Sequence, residues 1–461
     1  MTMLAIRAIT PLDGRYATQV SVLADHLSEW ALIKRRVEVE VEWLLEMAAC
    51  ADIADMRALT GAEQNYLREL MAGFDDDAAQ RVKAIERTTN HDVKAVEYYI
   101  RERLQGTSLE DVGEWVHFCC TSEDINNLSH ALMVKSALED EWLPQARALV
   151  DSVAALAEST ADTSMLAYTH GQAASPTTLG KELAVFVYRW RRQMRQLENA
   201  EYLGKFNGAV GSYNAHAIAY PDADWQDISR RFVERLGLTH NPLTTQIEPH
   251  DYIAEIFHAL SRFNTITLDF DRDMWSYISL GVFRQRAVEG EVGSSTMPHK
   301  VNPINFENSE ANLGISNALL EHLATKLPVS RLQRDLTDSS ALRNLGPAIG
   351  HSLVGLKSAQ RGLRQVGVDE HLLDAELNDA WEVLAEAVQT VMRKQGGEDA
   401  YDLLKDFTRG QRITEADMRH FVKGLELPSD DKKRLMALTP AGYTGIAAEL
   451  VARMGGLDES N

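Results

Sequence analysis

The segment Gly290-Glu-Val-Gly-Ser-Ser-Thr-Met-Pro-His-Lys-Val-Asn-Pro303 gathers chemistry-bearing side chains more densely than its surroundings. Its glycines, prolines and adjacent hydroxyls predict a loop, anchored by little more than Val292, Met297 and Val301, and polar loops on rigid scaffolds often carry sites. Lys300, Asn302 and the backbone N–H groups of the Gly-Ser-Ser turn are donors that can converge on one carboxylate. A polar surface connector would share much of this composition, but not its wealth of oxyanion donors. A second candidate, His170, stands among small residues in Tyr168-Thr-His-Gly-Gln-Ala-Ala-Ser-Pro176 just before a strongly periodic helix. Its spacing alone leaves a structural and a chemical role open.

Two helix starts add to the list, because the first N–H groups of a helix are unpaired and attract anions. Thr89 and Asp92 have capping-box spacing ahead of Val93, Val96, Ile100 and Leu104, and Thr121 and Asp124 have it ahead of Ile125, Leu128 and Leu132. Taken alone, each is a cap. His91 beside the first of them is either an imidazole with a lowered pKa or a surface histidine. Gly350-His-Ser-Leu-Val-Gly-Leu-Lys357 looks like a phosphate loop, but Leu356 intervenes before the lysine and no strand precedes it, so that reading is rejected.

The elements that must position these residues are helices. Leu179, Leu183, Phe186, Trp190 and Leu197 predict a helix over Thr177–Ala200, with Ser175-Pro176 as its cap and first turn. A second, over Ile253–Gly281, is long enough to imply a bundle. Val37-Glu-Val-Glu-Val-Glu42 alternates like a strand, yet Ile33, Val37, Val41 and Leu45 make one helical stripe through it, and helix is the reading taken. Strands separated by Asn-Gly turns are hard to find, so the expected class is all-α. Breaks at Gly106–Gly113 and Arg364–Asp369 divide the chain into an expected 1–111 N-terminal domain, 112–363 central long-helix domain and 364–461 C-terminal domain.

Composition narrows the function. The 461 residues carry 47 Lys and Arg against 68 Asp and Glu, a net charge of −21, which disfavours nucleic acid as a partner. No apolar run is long enough to cross a bilayer and no secretory pattern opens the chain, so a cytoplasmic location without membrane attachment is expected. The 3 cysteines, Cys50, Cys119 and Cys120, build neither a disulfide framework nor a zinc site. HExxH, GxSxG and a strand–helix GxGxxG are missing.

Gly293-Ser-Ser-Thr-Met-Pro-His-Lys-Val-Asn-Pro303 resembles the signature of the fumarase/aspartase superfamily, with Thr121-Ser-Glu-Asp-Ile-Asn-Asn127 and Thr169-His-Gly-Gln172 as its companion regions. Asp13-Gly-Arg-Tyr16, Arg87-Thr-Thr-Asn-His-Asp-Val93, Gln246-Ile-Glu-Pro-His-Asp251 and Arg334-Asp-Leu-Thr-Asp-Ser339 with Arg343 are similar to the bacterial branch that splits fumarate from succinylated purine nucleotides. The resemblance implies a three-domain helical protomer, a homotetramer around a central bundle, active sites shared by three chains, and no cofactor. It implies Ser294 as general base, His170 as general acid and Glu307 as the partner orienting His170. Arg15, Tyr16, Asn90, His91, Asp92, Thr121, Ser122, Gln246, Lys300, Asn302, Arg334, Ser339 and Arg343 would bind the small nucleotide substrate. One departure is Asn308, where other branches place an arginine.

Overall fold

The computed structural model describes residues 6–286, 297, 300–396, 400–408 and 412–455. Helices dominate it. They include α1 (Glu29–Ala49), α2 (Gly61–Ala72), α3 (Asp76–Thr89), α4 (Asp92–Leu104), α5 (Ser122–Ser136), α6 (Leu143–Ser159), α7 (Leu179–Glu198), α8 (Trp225–Arg235), α9 (Asp251–Leu280), α10 (Ile304–Lys326), α11 (Thr337–Leu342) and α12 (Leu345–Arg364). The rejected phosphate-loop pattern falls inside α12, where no turn could cradle a phosphate. The chain forms two compact units. One contains residues 1–146, 193–265 and 311–355, the other 147–192, 266–310 and 356–461.

In the first unit, α1 settles the ambiguous Val-Glu alternation. The segment is helical throughout, and burial does not alternate along it: Glu40, Trp43 and Leu44 are shielded from water as well as Val37, Val39 and Val41. Ser28 Oγ starts the helix by accepting from Ala31 N at 3.1 Å. Trp43 packs on Phe206 and Phe232, with centroids 4.3 and 5.1 Å away. A buried polar network ties three long helices: Asn264 of α9 donates to Ser316 of α10 at 3.1 Å and accepts from Ser352 of α12 at 2.7 Å.

Beside this core His216 is fully buried, its ring 4.7 Å from Trp225 and 5.4 Å from Tyr213, with neither ring nitrogen hydrogen-bonded among the described residues. Burial lowers its pKa to about 4. The folded state therefore keeps it neutral, while the unfolded chain takes up a proton below about pH 6.5. Its contribution is fully present above that pH and is lost as pH falls toward 4. His216→Phe is expected to flatten the acid-side decline in urea midpoint between those pH values. A decline as steep as that of the wild type would contradict the assignment.

In the second unit, aromatic side chains pack the long helices: Phe186 and Trp190 of α7 lie 5.4 and 5.3 Å from Phe270 of α9, which is 6.3 Å from Phe306 of α10. Phe306 in turn rests against Gly362 of α12, where a Cβ would collide with its ring. Beyond residue 369 shorter helices surround their own core of Trp381, Leu384, Val388, Met418 and Val422. The fold is mainly α, as expected, and α7 and α9 coincide with the predicted helices within a few residues.

The lead-in to α7 differs from expectation. Ser175-Pro176 is not a helix cap: it lies in β2 (Gln172–Thr178), paired antiparallel with β1 (Ser164–Thr169). The register Thr169↔Gln172 leaves His170 and Gly171 as a two-residue turn with φ of +53° and +74°. Such a turn needs left-handed backbone at both positions, a role Asn-Gly usually fills. With one partner strand, β2 can accept Pro176 without losing a ladder bond.

Candidate active site

The first unit contains a cleft of about 600 Å³. Asn90, His91 and Asp92 line it from the α3–α4 junction, Ser122 from the start of α5, and Arg334, Ser339 and Arg343 from the segment around α11. The two helix starts singled out by sequence thus open on the same space. Their unpaired N–H groups and dipoles favour an anion there.

Local chemistry explains the geometry. Asn90 ends α3 with φ +52°, a left-handed cap that asparagine tolerates. The cap of α4 is His91 rather than the expected Thr89: its Nδ1 accepts from Lys94 N at 3.1 Å, which leaves the ring proton on Nε2. Asp92 accepts from Arg36 Nη2 at 2.7 Å. Burial raises the Asp92 pKa, but the Arg36 charge and the Val93 N–H offset this and hold it below the ordinary value. Thr121 caps α5 as expected, its N–H donating to Asp124 Oδ2 at 2.8 Å.

Arg334 is fixed by three contacts: Nη2 to Glu123 at 2.9 Å, Nη1 to Gln246 at 3.0 Å and Nη2 to Ser339 at 3.2 Å. Arg343 is exposed and makes no ion pair with another described residue, so its guanidinium remains available to an anion. Arg15 is exposed and Tyr16 half-buried in the N-terminal segment; neither lines the cleft. The Tyr16 hydroxyl accepts from Asn312 Nδ2 at 3.5 Å.

The remaining candidates belong to the second unit. His170 stands exposed at the hairpin tip. Glu307 accepts from Trp275 Nε1 at 3.1 Å and is not hydrogen-bonded to His170 within this chain. Lys300 is exposed, Asn302 is half-buried, and Asn308 accepts from Ser358 Oγ at 3.0 Å. Ser294 lies outside the described residues. Among the described residues no cluster of three His, Cys, Asp or Glu side chains suits a metal ion.

Comparison with known proteins decides the family. A family model described as Lyase matches residues 14–316, and one described as Adenylosuccinate lyase C-terminal matches 330–444. The adenylosuccinate lyase of Haemophilus influenzae is 54% identical over 456 residues, covering 98% of this chain and 100% of that protein. That of Escherichia coli K12 is 54% identical over 453 residues, covering 98% and 99%. The chain belongs to the adenylosuccinate lyase family. A fumarate lyase from Mesorhizobium shares its fold, with a TM-score of 0.76 at 18% identity over 95% of this chain and 98% of the other.

For a member of the adenylosuccinate lyase family the cleft holds residues that sequence reading missed. Arg36 of α1 and Asn126 and His130 of α5 line it, and Glu123 anchors Arg334. Burial lowers the His130 pKa to about 3, so the imidazole is neutral. A signal for them exists: Arg36 falls on the buried stripe of α1, and Glu123, Asn126 and His130 share the buried face of α5. Polar residues at core spacing persist when hydrogen-bonded to something specific.

Proposed function

We infer that the protein is a carbon–nitrogen lyase that releases fumarate from adenylosuccinate, leaving AMP. It performs the same β-elimination on succinylaminoimidazole carboxamide ribotide, giving AICAR, in purine biosynthesis. The carrying observation is identity of 54% along the full length to adenylosuccinate lyases. The cleft accords with this substrate: two helix N-termini, Arg334 and Arg343 suit a phosphate-bearing anion, and aspartate, fumarate or argininosuccinate would need no such pocket.

The elimination removes a proton from a carbon made acidic only by its neighbouring carboxylate. The carbanion places a second negative charge on that carboxylate, so the difficulty is electrostatic. Lys300, Asn302 and backbone N–H groups act as donors preorganised around it, each worth about 3 kcal/mol. Ser294 is the base, activated by the same positive field and by exclusion of water. The electron pair re-forms as the fumarate double bond while the C–N bond breaks. His170 delivers a proton to the departing nitrogen, and Glu307 orients it. Asn90, His91, Asp92, Thr121, Ser122, Gln246, Arg334, Ser339 and Arg343 bind the nucleotide together with Arg15 and Tyr16.

This constellation is assembled from three chains of a homotetramer. Exposed Val185, Tyr188, Trp275 and Ile315 are apolar side chains on the long helices that such an assembly would cover. The three-domain division at 111 and 363, a cytoplasmic location and a cofactor-free reaction belong to the same reading. None of the described helices is long and apolar enough to cross a membrane.

Incubation of the purified protein with adenylosuccinate, followed by ultraviolet absorbance and identification of fumarate and AMP, tests it. Conversion is expected. Inertness toward adenylosuccinate alongside activity on argininosuccinate would overturn it, and silence toward every succinyl substrate would point to a purely structural oligomer.

A further inference from the structure

We propose that Arg36 is a positioning residue that links the cleft-lining residues Asp92 and Arg334 through a continuous relay, Asp92–Arg36–Asn126–Glu123–Arg334. The Arg36 guanidinium divides its donors between two helices: Nη2 binds Asp92 of α4 at 2.7 Å and Nε binds Asn126 Oδ1 of α5 at 2.8 Å. Asn126 turns its amide nitrogen to Glu123 Oε1 at 2.8 Å, and the same oxygen receives Arg334 Nη2 at 2.9 Å. The first three links are hydrogen bonds and the last is an ion pair, all of ordinary length, and the two ends, Asp92 and Arg334, both line the cleft.

Burial makes the relay costly to leave incomplete. Arg36 is 5% exposed, Glu123 3% and Asn126 7%, and Arg36 issues from a helix whose neighbouring positions Ile33 and Val37 are core. A guanidinium in such surroundings persists only with its donors satisfied. Its fork shape allows two acceptors at fixed angles, which the point charge of lysine cannot reproduce. The signs alternate along the chain: carboxylate, guanidinium, amide, carboxylate, guanidinium. Loss of Arg36 would leave two carboxylates against one guanidinium on a surface meant for a polyanion, and would free Asp92 and the Asn126 amide to turn. The role is indirect, since Arg36 acts by holding Asp92 and Arg334 where the ligand needs them.

The kinetic arm of the test rests on the lyase reading, and a second arm does not. Arg36→Met is expected to raise KM for adenylosuccinate about tenfold or more while kcat changes less than about threefold, the pattern of lost ground-state positioning. Arg36→Lys should recover part of that loss through Asp92 alone. Asn126→Leu, which cuts the relay but keeps the Arg36–Asp92 pair, should raise KM on its own and add nothing in the double variant with Arg36→Met. A folded Arg36→Met enzyme with wild-type KM overturns the relay. So do multiplying effects in the double variant, which would mean that Asn126 touches the ligand itself. Should Arg36→Met fail to fold, Arg36→Lys carries the comparison, and a wild-type KM there overturns the relay equally. The second arm is a ligand-free crystal structure of Arg36→Lys, in which Asp92 or the Asn126 amide should shift by about 1 Å, enough to impair a site. Both side chains in unchanged positions would overturn the relay even if the wild type proved inert on adenylosuccinate, an outcome that by itself sinks only the lyase reading.

Discussion

His170→Ala and Ser294→Ala are each expected to abolish turnover of adenylosuccinate, by about 10²–10⁴-fold or more, with the oligomer intact. The expectation for His170 comes from its placement. A buried histidine would confound lost chemistry with lost packing, but this imidazole is exposed at the tip of a two-residue turn, so truncation opens no cavity. The turn holds His170 at φ +53°, where a side chain with Cβ is strained by about 1–2 kcal/mol relative to ordinary backbone. Glycine or asparagine would fit more easily, and a strained residue at an exposed tip is a reason to look for function there. Alanine keeps the same strain, so the hairpin should not gain or lose enough to refold. Steady-state kinetics beside light scattering separates the outcomes: near-normal kcat in either variant would end the role assigned to it. Mixing the two inactive proteins adds a sharper test. If the base and the acid at each site come from different chains, subunit exchange must rebuild some complete sites, and activity should reappear. Exchange demonstrated by mass without recovered activity would refute the shared site.

The helices and the motif residues were legible because they are local. Ile33, Val37, Val41 and Leu45 make one helical stripe through the strand-like alternation of their neighbours, and the structure buries all four in a helix. The hairpin around His170 was not legible, because His-Gly stands where a hairpin turn usually shows Asn-Gly and because Pro176 looked like a helix start. Which motifs share the cleft was also out of reach of spacing. Asn90–Asp92, Ser122 and Arg334–Arg343 are far apart in sequence; packing of α1 with α4 and α5 brings the first two together, and the Arg334–Glu123 ion pair ties the third to α5. Arg36 escaped for a different reason: counting apolar residues along a stripe passes over the polar one that the stripe buries. The relations between His170, Glu307 and Ser294 depend on chains beyond this one in the proposed assembly, and nothing in a single sequence encodes their distances.

Lys205→Met is expected to produce the largest loss of stability, about 3–5 kcal/mol, by removing one partner of a buried ion pair. Lys205 Nζ lies 2.7 Å from Asp124 Oδ1 and both side chains are wholly shielded from water. Asp124 also accepts from Thr121 N at 2.8 Å, Asn207 N at 3.0 Å and Gly208 N at 3.2 Å, so its carboxylate is solvated by backbone but neutralised by one ammonium. Methionine matches the lysine stem in volume and leaves the charge on Asp124 uncompensated. Asp124→Asn in the same chain should restore part of the loss, because the pair is coupled and its two single effects cannot add. The consequence reaches function: Asp124 fixes the backbone of Thr121, and with it the first turn of α5 that presents Ser122 to the cleft. Lys205→Met should therefore raise KM as well as lower the urea midpoint, although Lys205 does not line the cleft. A loss below about 1 kcal/mol would place the pair in the class of weak surface bridges despite its burial, and would mean that the backbone donors alone hold this helix start in place.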